Sequence, residues 1–337
     1  MNTYLKDKSV RHLRAGRFLV TLASAALLLG ACQRQEPMRL YGEAQGTYYS
    51  IQYYDPEQRN LQPQIDSLLQ AFDRSASLWV DSSLLRRINA GETDSLDDIL
   101  QFLLQNSLHI MDYTNGAFDI RVGRLVQTWG FSFKQRSEPD STTLASLLHA
   151  AHSTIGYDNR RLLRESPDTE LDFNAIAQGY ASDLVAQLLD SHDIHSYLVD
   201  IGGEVISRGL KPDGSPWKVG IQDIDKPTGE YMLVAQNFGG STVTSGIYER
   251  GFELDGTYYH HILDTATGWP VQNELASVTI FSESSMWGDA LATAAFALGT
   301  EGGKALIEGI DGVEAVFIAR DRSATYTSGA GAYMVES

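Results

Sequence analysis

The sequence predicts an α+β fold in which antiparallel sheets are flanked by helices. Amphipathic patterns typical of helices dominate the first half of the 337-residue chain, whereas the second half is mostly short strands joined by turns. Consecutive strands favour antiparallel pairing over the strand–helix alternation of a parallel sheet. Because no internal repeat and no Pro- or Gly-rich linker follows residue 41, we expect one large domain over residues 42–337.

Local patterns predict the elements in chain order. The stretch Gly46–Tyr54 is rich in β-branched and aromatic residues and predicts a strand. Apolar residues at helical spacing predict helices over Pro63–Ser77 and Ser95–Gly116, the second with Ser95 as its N-cap. The remaining predicted elements are helices at Ser141–His152 and around Leu184–Asp190, strands in SYLVDIGG, WKVGIQD, YMLVAQNF, YYHHILD and ASVTIFS, a helix over Met286–Leu298 and a strand over Ala315–Ala319.

The N-terminus indicates export from the cytoplasm. Five basic residues and one acidic residue precede the uncharged apolar run Phe18–Gly30, which is too short to span a bilayer comfortably. The run ends in LGAC, which resembles a bacterial lipobox and contains the only cysteine of the chain, Cys32. We therefore predict a lipoprotein signal peptide over 1–31, lipidation of Cys32 and a tether over 32–41. The body would then lie on the extracytoplasmic (periplasmic) face of a membrane in a bacterial cell envelope; an uncleaved anchor is the alternative.

The charge of the chain limits its ligands. The formal net charge is −17, and removal of the basic leader would make the body more acidic still. An acidic body repels phosphate backbones, so we expect no nucleic-acid partner. An anionic ligand would need a local cation, such as a metal ion, a basic side chain or a helix N-terminus.

Two glycine-containing stretches permit either ligand binding or a purely structural role. In LDFNAIAQGYASD, Asp172 and Asn174 precede small residues and a helix, so a phosphate could approach the backbone closely. A capped and tightly packed helix would explain the same residues. In VDIGGE, the pair Gly202-Gly203 permits a turn or a close ligand approach.

The stretch HHILDTATGWPV contains two adjacent histidines. Strand alternation would place His261 on one face and His260, with Ile262, on the other, so the two imidazoles could not chelate one ion. A histidine at a strand end near Asp264 suits proton transfer, and a structural histidine is the open alternative. Thr267-Gly268 then indicates a tight turn.

The stretch MWGDALATAAFALG places a carboxylate and a hydroxyl four residues apart. On a helix, Asp289 and Thr293 would therefore share one face, among alanines. Such an arrangement suits Mg²⁺, which prefers hard oxygen ligands. The alternative is an aspartate near a helix start and a threonine bonded back to the helix backbone.

Together and in this order, these stretches resemble the FAD:protein FMN transferases, the periplasmic flavin-transferring lipoproteins also called the ApbE family. The resemblance runs from about Tyr41 to the C-terminus and is carried by GTYYSI, NGAFDIRVGRLVQTWGF, DFNAIAQGYASD, LVDIGGE, TSGIYERGFELDGTYYHHILDTATGWPV and GDALATAAFALG. It implies a single ApbE-like (T-fold-like) catalytic domain. It also implies a Mg²⁺-dependent reaction in which a threonine hydroxyl of a client redox protein attacks the FMN-side phosphorus of FAD and AMP leaves.

The resemblance also implies roles for individual residues. His261 would accept the proton of the attacking threonine, and Ala175 (through its carbonyl), Asp289 and Thr293 would bind Mg²⁺. Contacts to FAD would come from Gln45, Trp79, Ala117, Phe118, Asp119, Asp172, Gln178 and Ile262. Gln45 replaces a common methionine and Gln178 a common basic residue. A Mg²⁺-dependent FAD pyrophosphatase releasing FMN and AMP, and a flavin-binding lipoprotein without turnover, are the alternatives.

Overall fold

The computed structural model describes residues 36–131, 139–223, 226, 230–237, 239–247, 251–254 and 256–335. The predicted signal peptide and Cys32 lie outside these residues. Pro37–Ser337 forms one compact unit. Within the described part of the chain, no helix has both the length and the apolar character needed to cross a bilayer.

The centre of this unit is an eight-stranded sheet in which every neighbouring pair is antiparallel. With strands numbered along the chain, its spatial order is β1 (Met38–Ala44), β2 (Thr47–Tyr53), β5 (Tyr197–Ile201), β6 (Glu204–Arg208), β9 (Gly240–Gly246), β12 (Leu275–Ser282), β13 (Glu314–Ala319) and β14 (Ala324–Tyr326). Three antiparallel pairs are separate, namely β3 (Ile155–Asp158) with β4 (Arg161–Arg164), β7 (Trp217–Gln222) with β8 (Tyr231–Asn237), and β10 (Gly251–Leu254) with β11 (Thr257–His260). The predicted α+β class is confirmed.

Helices cover much of the sheet and form the core with it. They are α1 (Gln62–Ala76), α2 (Leu84–Asn89), α3 (Asp98–Tyr113), α4 (Gly123–Trp129), α5 (Ser141–Ala151), α6 (Ala177–Ser191) and α7 (Ser285–Ile307). α6 packs on β5 and β6, α7 packs on β9 and β12, and the two helices contact each other. A separate apolar cluster, around Phe281, Val316 and Ile318, includes residues of β7 and β8.

Two predicted boundaries within the first hundred residues are wrong. Met38–Tyr41, expected in the tether, instead belongs to β1, because pairing with β2 buries Leu40. The N-cap of α3 is Asp97, whose side chain accepts a hydrogen bond from the Leu100 N–H. Ser95 instead forms a β-bridge with Arg161, so contact with the β3–β4 pair holds it extended.

The last helix is longer than predicted but changes at the predicted end. α7 runs to Ile307, and Gly299 within it has φ 72° and ψ 179°, a non-helical conformation that glycine adopts without steric cost. The Thr300 N–H and hydroxyl both donate to the Glu274 carboxylate, so the second helical segment begins anew there. The first segment, which contains Asp289 and Thr293, matches the predicted helix.

Candidate active site

One cleft brings together all the residues predicted to bind FAD or the metal or to act in catalysis. The empty volume of this cleft, with the open solvent at its mouth included, is about 1300 Å³. Among its lining residues are Gln45, Trp79, Ala117, Phe118, Asp119, Asp172, Ala175, Gln178, His261, Ile262, Asp289 and Thr293. These residues span most of the described chain, so the fold assembles the cleft from distant segments.

The crossing of α6 and α7 fixes the position of one wall. A Cβ atom on Gly179 would lie 2.3 Å from the Ser285 carbonyl oxygen, so only glycine allows the helices to come this close. The Asp183 carboxylate accepts hydrogen bonds from the N–H groups of Ser285 (2.8 Å) and Met286 (3.0 Å) and from the Ser284 hydroxyl (2.7 Å). Burial raises the pKa of Asp183, while these hydrogen bonds favour its charged form. An aspartate on α6 thereby caps the start of α7.

Asp289 and Thr293 project from α7 into the cleft near Ala175. Asp289 is 5% exposed, and its Oδ2 accepts a hydrogen bond from the Gly179 N–H at 3.1 Å. The Thr293 Oγ1 lies 3.3 Å from the Ser245 Oγ on β9. Carboxylate, hydroxyl and carbonyl oxygens are hard ligands of the kind that Mg²⁺ takes in proteins.

The described residues contain no cluster of three or more His, Cys, Asp or Glu side chains arranged to hold a metal. An ion at Asp289 would therefore take at most two such side chains of the described residues as ligands, and the rest of its ligands would be neutral protein oxygens and oxygens from substrate or water. Mg²⁺ is usually bound in this way beside phosphate substrates, through one or two carboxylates. The residues present thus fit Mg²⁺ with a phosphate ligand.

The charge of the cleft adds to this requirement. Five carboxylates line it, those of Asp73, Asp119, Asp172, Glu204 and Asp289, and none of the described lining residues is a lysine or arginine. Asp119 forms an ion pair with Arg121 at 2.6 Å, which offsets one of these charges. A pyrophosphate entering this cleft would still meet negative potential, so a bound cation would favour its entry.

His260 belongs to the core. Its side chain is fully buried and packs edge-on against Phe296, with ring centroids 5.3 Å apart. Neither ring nitrogen makes a hydrogen bond of normal geometry within the described residues, and the Val271 backbone is the polar group that favours its charged form. Desolvation, followed by the neighbouring charges of His261 and Arg320, lowers the pKa of His260 to about 4. This histidine is neutral at pH 7 and structural.

His261 lines the cleft, as predicted, and the predicted alternation of faces continues beyond it. β11 ends at His260, and His261, Ile262 and Leu263 all line the cleft. Ile262 is nevertheless buried in the apolar cluster that contains Phe296, the ring against which His260 packs, whereas Leu263 packs with Trp129 and Tyr259. The predicted faces are therefore correct, because the chain beyond β11 stays paired through the Leu263–Pro270 bridge and the hydrogen bond from the Val271 N–H to the Ile262 carbonyl.

Asp264 shapes this turn. Its carboxylate accepts hydrogen bonds from the Ala266 N–H and the Thr267 hydroxyl, both at 2.9 Å. Its backbone N–H donates to the Trp269 carbonyl, and its carbonyl accepts from the Gly268 N–H. These contacts give Asp264 a structural role within the turn, where the sequence had suggested support for the histidine.

Other elements hold the turn in place. The buried Trp129 donates its indole N–H to the Gly268 carbonyl at 2.8 Å. The Thr265 hydroxyl donates to the Gly116 carbonyl at 2.6 Å. The turn is therefore tied to α4 and to the loop after α3, which places Thr265 and His261 on a supported wall of the cleft.

Several lining residues were not predicted. Asp73 on α1 accepts the Gln45 N–H at 3.3 Å, although its other carboxylate oxygen and both polar atoms of the Gln45 side chain are buried without a hydrogen bond in the described residues. Burial raises the pKa of Asp73. Glu204, Thr244 and Ser245 also line the cleft. In the sequence Asp73 looks like any polar residue on an amphipathic helix, so no pattern indicates its role. Ser245 lies in TSGIYER, part of a stretch that carries the family resemblance, and could have been predicted from it.

The comparisons with known proteins agree with the geometry. The ApbE family model matches residues 45–317. The FAD:protein FMN transferase of Vibrio cholerae serotype O1 is 33% identical over 305 residues, covering 86% of this chain and 90% of that protein. The FAD:protein FMN transferase of Treponema pallidum is 33% identical over 328 residues, covering 89% and 90%.

Solved structures show the same fold. The flavin transferase ApbE from Vibrio cholerae superposes with a TM-score of 0.77 at 29% identity, covering 88% of this chain and 99% of that one. The apo flavinyl transferase ApbE of Pseudomonas stutzeri gives a TM-score of 0.78 at 31% identity, covering 90% and 98%. The chain therefore belongs to the ApbE family, as the sequence motifs predicted.

Proposed function

We propose that this chain is an FAD:protein FMN transferase that attaches FMN to a threonine hydroxyl of a client protein in a Mg²⁺-dependent reaction and releases AMP. The names of its relatives support the flavin transfer. The observation that carries the proposal is the convergence of His261 with the α7 pair Asp289 and Thr293 on one cleft. An acid–base group and a cation site are the parts that an in-line attack on phosphorus requires.

In this proposal the chain's residues divide the chemistry. His261 accepts the hydroxyl proton of the threonine as its oxygen bonds to the FMN-side phosphorus. The bond from that phosphorus to the bridging oxygen breaks, and the oxygen leaves with AMP. Asp289, Thr293 and the Ala175 carbonyl would hold Mg²⁺, which when bound withdraws charge from the phosphate oxygens. Phosphoryl transfer needs mainly positioning and charge stabilisation, which these walls provide.

The ring systems of FAD would lie along the aromatic part of the cleft. Phe72, Trp79 and Phe118 line it together, and Trp79 is 39% exposed, so its ring can be reached from solvent. Stacking on such rings contributes area burial plus about 0.5–1.5 kcal/mol per pair. Gln45 and Asp73 add polar groups beside these rings.

A single assay separates the candidate activities. The protein is incubated with FAD and a threonine-containing client domain, with and without EDTA. Mass spectrometry measures the FMN adduct on the client, and chromatography measures free AMP and FMN. If the protein is a transferase, the FMN adduct and AMP should form in equal amounts, and EDTA should abolish both. AMP with free FMN and no adduct would instead identify a pyrophosphatase, and neither product would identify a binding protein.

We further propose that the mature protein is anchored through a lipid on Cys32 at the extracytoplasmic face of a membrane. The leader composition and the position of the cysteine support this. Expression of the full chain, followed by mass spectrometry of its N-terminal peptide, should find a lipidated Cys32. A Cys32→Ala variant should stay uncleaved at this site. An unmodified Cys32 in the membrane fraction would contradict the proposal.

A further inference from the structure

We propose that Ser245 is a positioning residue that links the cation-binding hydroxyl of Thr293 to the phosphate of the substrate. In this arrangement Ser245 accepts a hydrogen bond from the Thr293 hydroxyl and donates one to a phosphate oxygen. The inference rests on the proposed function, because it assumes a cation at Asp289 and a pyrophosphate ligand beside it.

The position of Ser245 supports this role. It lies on β9, an interior strand of the eight-stranded sheet, where it pairs with Val278 of β12. α7 packs directly on β9, and the Ser245 Oγ lies 3.3 Å from the Thr293 Oγ1. Both side chains line the cleft. The hydroxyl pair therefore bridges the sheet and the helix at the point where the cation is expected.

A count of protons gives the direction of the hydrogen bond. A threonine hydroxyl has one proton and two lone pairs. If a lone pair of Thr293 is given to a cation, the proton must point away from that ion toward another acceptor. In a helix that acceptor is often the carbonyl four residues earlier, here Asp289. The Ser245 Oγ is an acceptor within reach on the cleft side, and such outer partners orient metal ligands and tune their affinity.

The Ser245 hydroxyl can then donate a hydrogen bond to a phosphate oxygen of the substrate. The adjacent Thr244 also lines the cleft, but its Oγ1 lies 2.8 Å from the Thr279 Oγ1, so that hydroxyl has a partner within the sheet. No lysine or arginine is among the described lining residues, so hydrogen bonds to the phosphate must come from neutral donors such as hydroxyl and backbone N–H groups. Ser245 therefore differs from Thr244 in having its hydroxyl directed to the cation site.

The test compares three variants and needs no turnover. Mg²⁺ is titrated by calorimetry into protein saturated with ADP, which has the adenosine and pyrophosphate groups of FAD. Ser245→Ala should weaken Mg²⁺ binding by about 10–100-fold, the usual effect of losing an outer partner of a metal ligand. Ser245→Thr should restore affinity to within about 3-fold of the wild type, because it keeps the hydroxyl and suits a strand.

Ser277→Ala is the matched control. Ser277 is buried on the neighbouring strand opposite Gly246, its hydroxyl has no partner within the described residues, and it does not line the cleft. The Ser277→Ala variant should bind Mg²⁺ as the wild type does. Wild-type affinity in Ser245→Ala, or an equal loss of affinity in Ser277→Ala, would overturn the role of Ser245 and leave the proposed cation site standing. Wild-type protein that transfers FMN without any divalent cation would overturn the cation site itself, and this inference with it.

Discussion

The two walls of the cleft that carry the proposed chemistry are built differently. One is the α6–α7 wall, where Asp289 lies on a buried helix whose start is capped by Asp183. The other is the wall formed by residues 257–269, a short strand running into a turn. On the first wall the predicted face is correct. On the second, the predicted faces of His261 and Ile262 are correct too, although Ile262 also contributes to the lining of the cleft.

The two walls differ in what maintains the periodicity of their side chains. In a helix the backbone itself fixes residues four apart on one face, so the pair Asp289 and Thr293 keeps its geometry over the whole segment. Strand alternation needs continued pairing, and although β11 ends at His260, pairing of Ile262 and Leu263 with residues 270 and 271 extends it to Leu263. In the turn that follows, the contacts of Trp129 with Gly268 and of Thr265 with Gly116 decide where the chain lies. Four predictions test this contrast.

The largest effect is expected on the helix wall. Asp289→Ala should lower FMN transfer by more than about 10³-fold, because loss of the only carboxylate proposed for the ion removes several kcal/mol of transition-state stabilisation. Thr293→Ala should be milder, since water can replace a neutral hydroxyl. Transfer is measured by mass spectrometry of the client at saturating FAD. EDTA should reproduce the Asp289→Ala defect, and undiminished transfer by this variant would exclude the proposed site.

On the turn wall, the two adjacent histidines should behave very differently. His261→Ala should slow transfer by about 10²–10⁴-fold, the usual loss for a general base, while FAD binding is retained. His260→Leu should leave the rate nearly unchanged, because His260 is buried away from the cleft. Single-turnover rates and FAD affinities measure both effects. A crippled His260→Leu together with a mild His261→Ala would reverse the assignment of the two residues.

The third prediction concerns the stability of the helix crossing. Gly179→Ala should destabilise the fold by about 1–3 kcal/mol, since the added methyl group meets the backbone of Ser285 and must push α6 from α7. Gly156→Ala is the control, because no atom lies within 4 Å of its added Cβ. Urea unfolding gives both free energies. Equal stability of the two variants would show that the crossing tolerates more separation than the structure indicates.

The smallest effect is a pH dependence carried by His260. Its pKa is lowered to about 4 in the folded state, so between pH 4 and 6.5 the unfolded chain binds more protons at this site. Its contribution to stability is therefore full above pH 6.5 and falls as the pH drops, by about 2 kcal/mol at pH 5. His260→Leu should lose this part of the slope in unfolding experiments at pH 7 and 5. His195→Gln, at an exposed histidine, should keep it, and an unchanged slope in His260→Leu would contradict the burial argument.

Much of the fold could be predicted because its signals are local. Helical spacing of apolar residues located α1, α3 and α7, and β-branched content located β2. Capping was harder to predict, because Ser95 and Asp97 are equally plausible caps until contact with Arg161 holds Ser95 extended. The site residues were predicted mainly from the resemblance to the ApbE family.

The sequence by itself determined that Asp289 and Thr293 share one face and that Gly299 ends the helical segment that carries them, since both depend on backbone geometry within a few residues. It also determined the acidic character that calls for a cation. Only the tertiary structure decided that His260 is buried while His261 faces the cleft, and that Asp73, Glu204 and Ser245 line it too. Those outcomes depend on contacts between segments many residues apart, which no local pattern encodes.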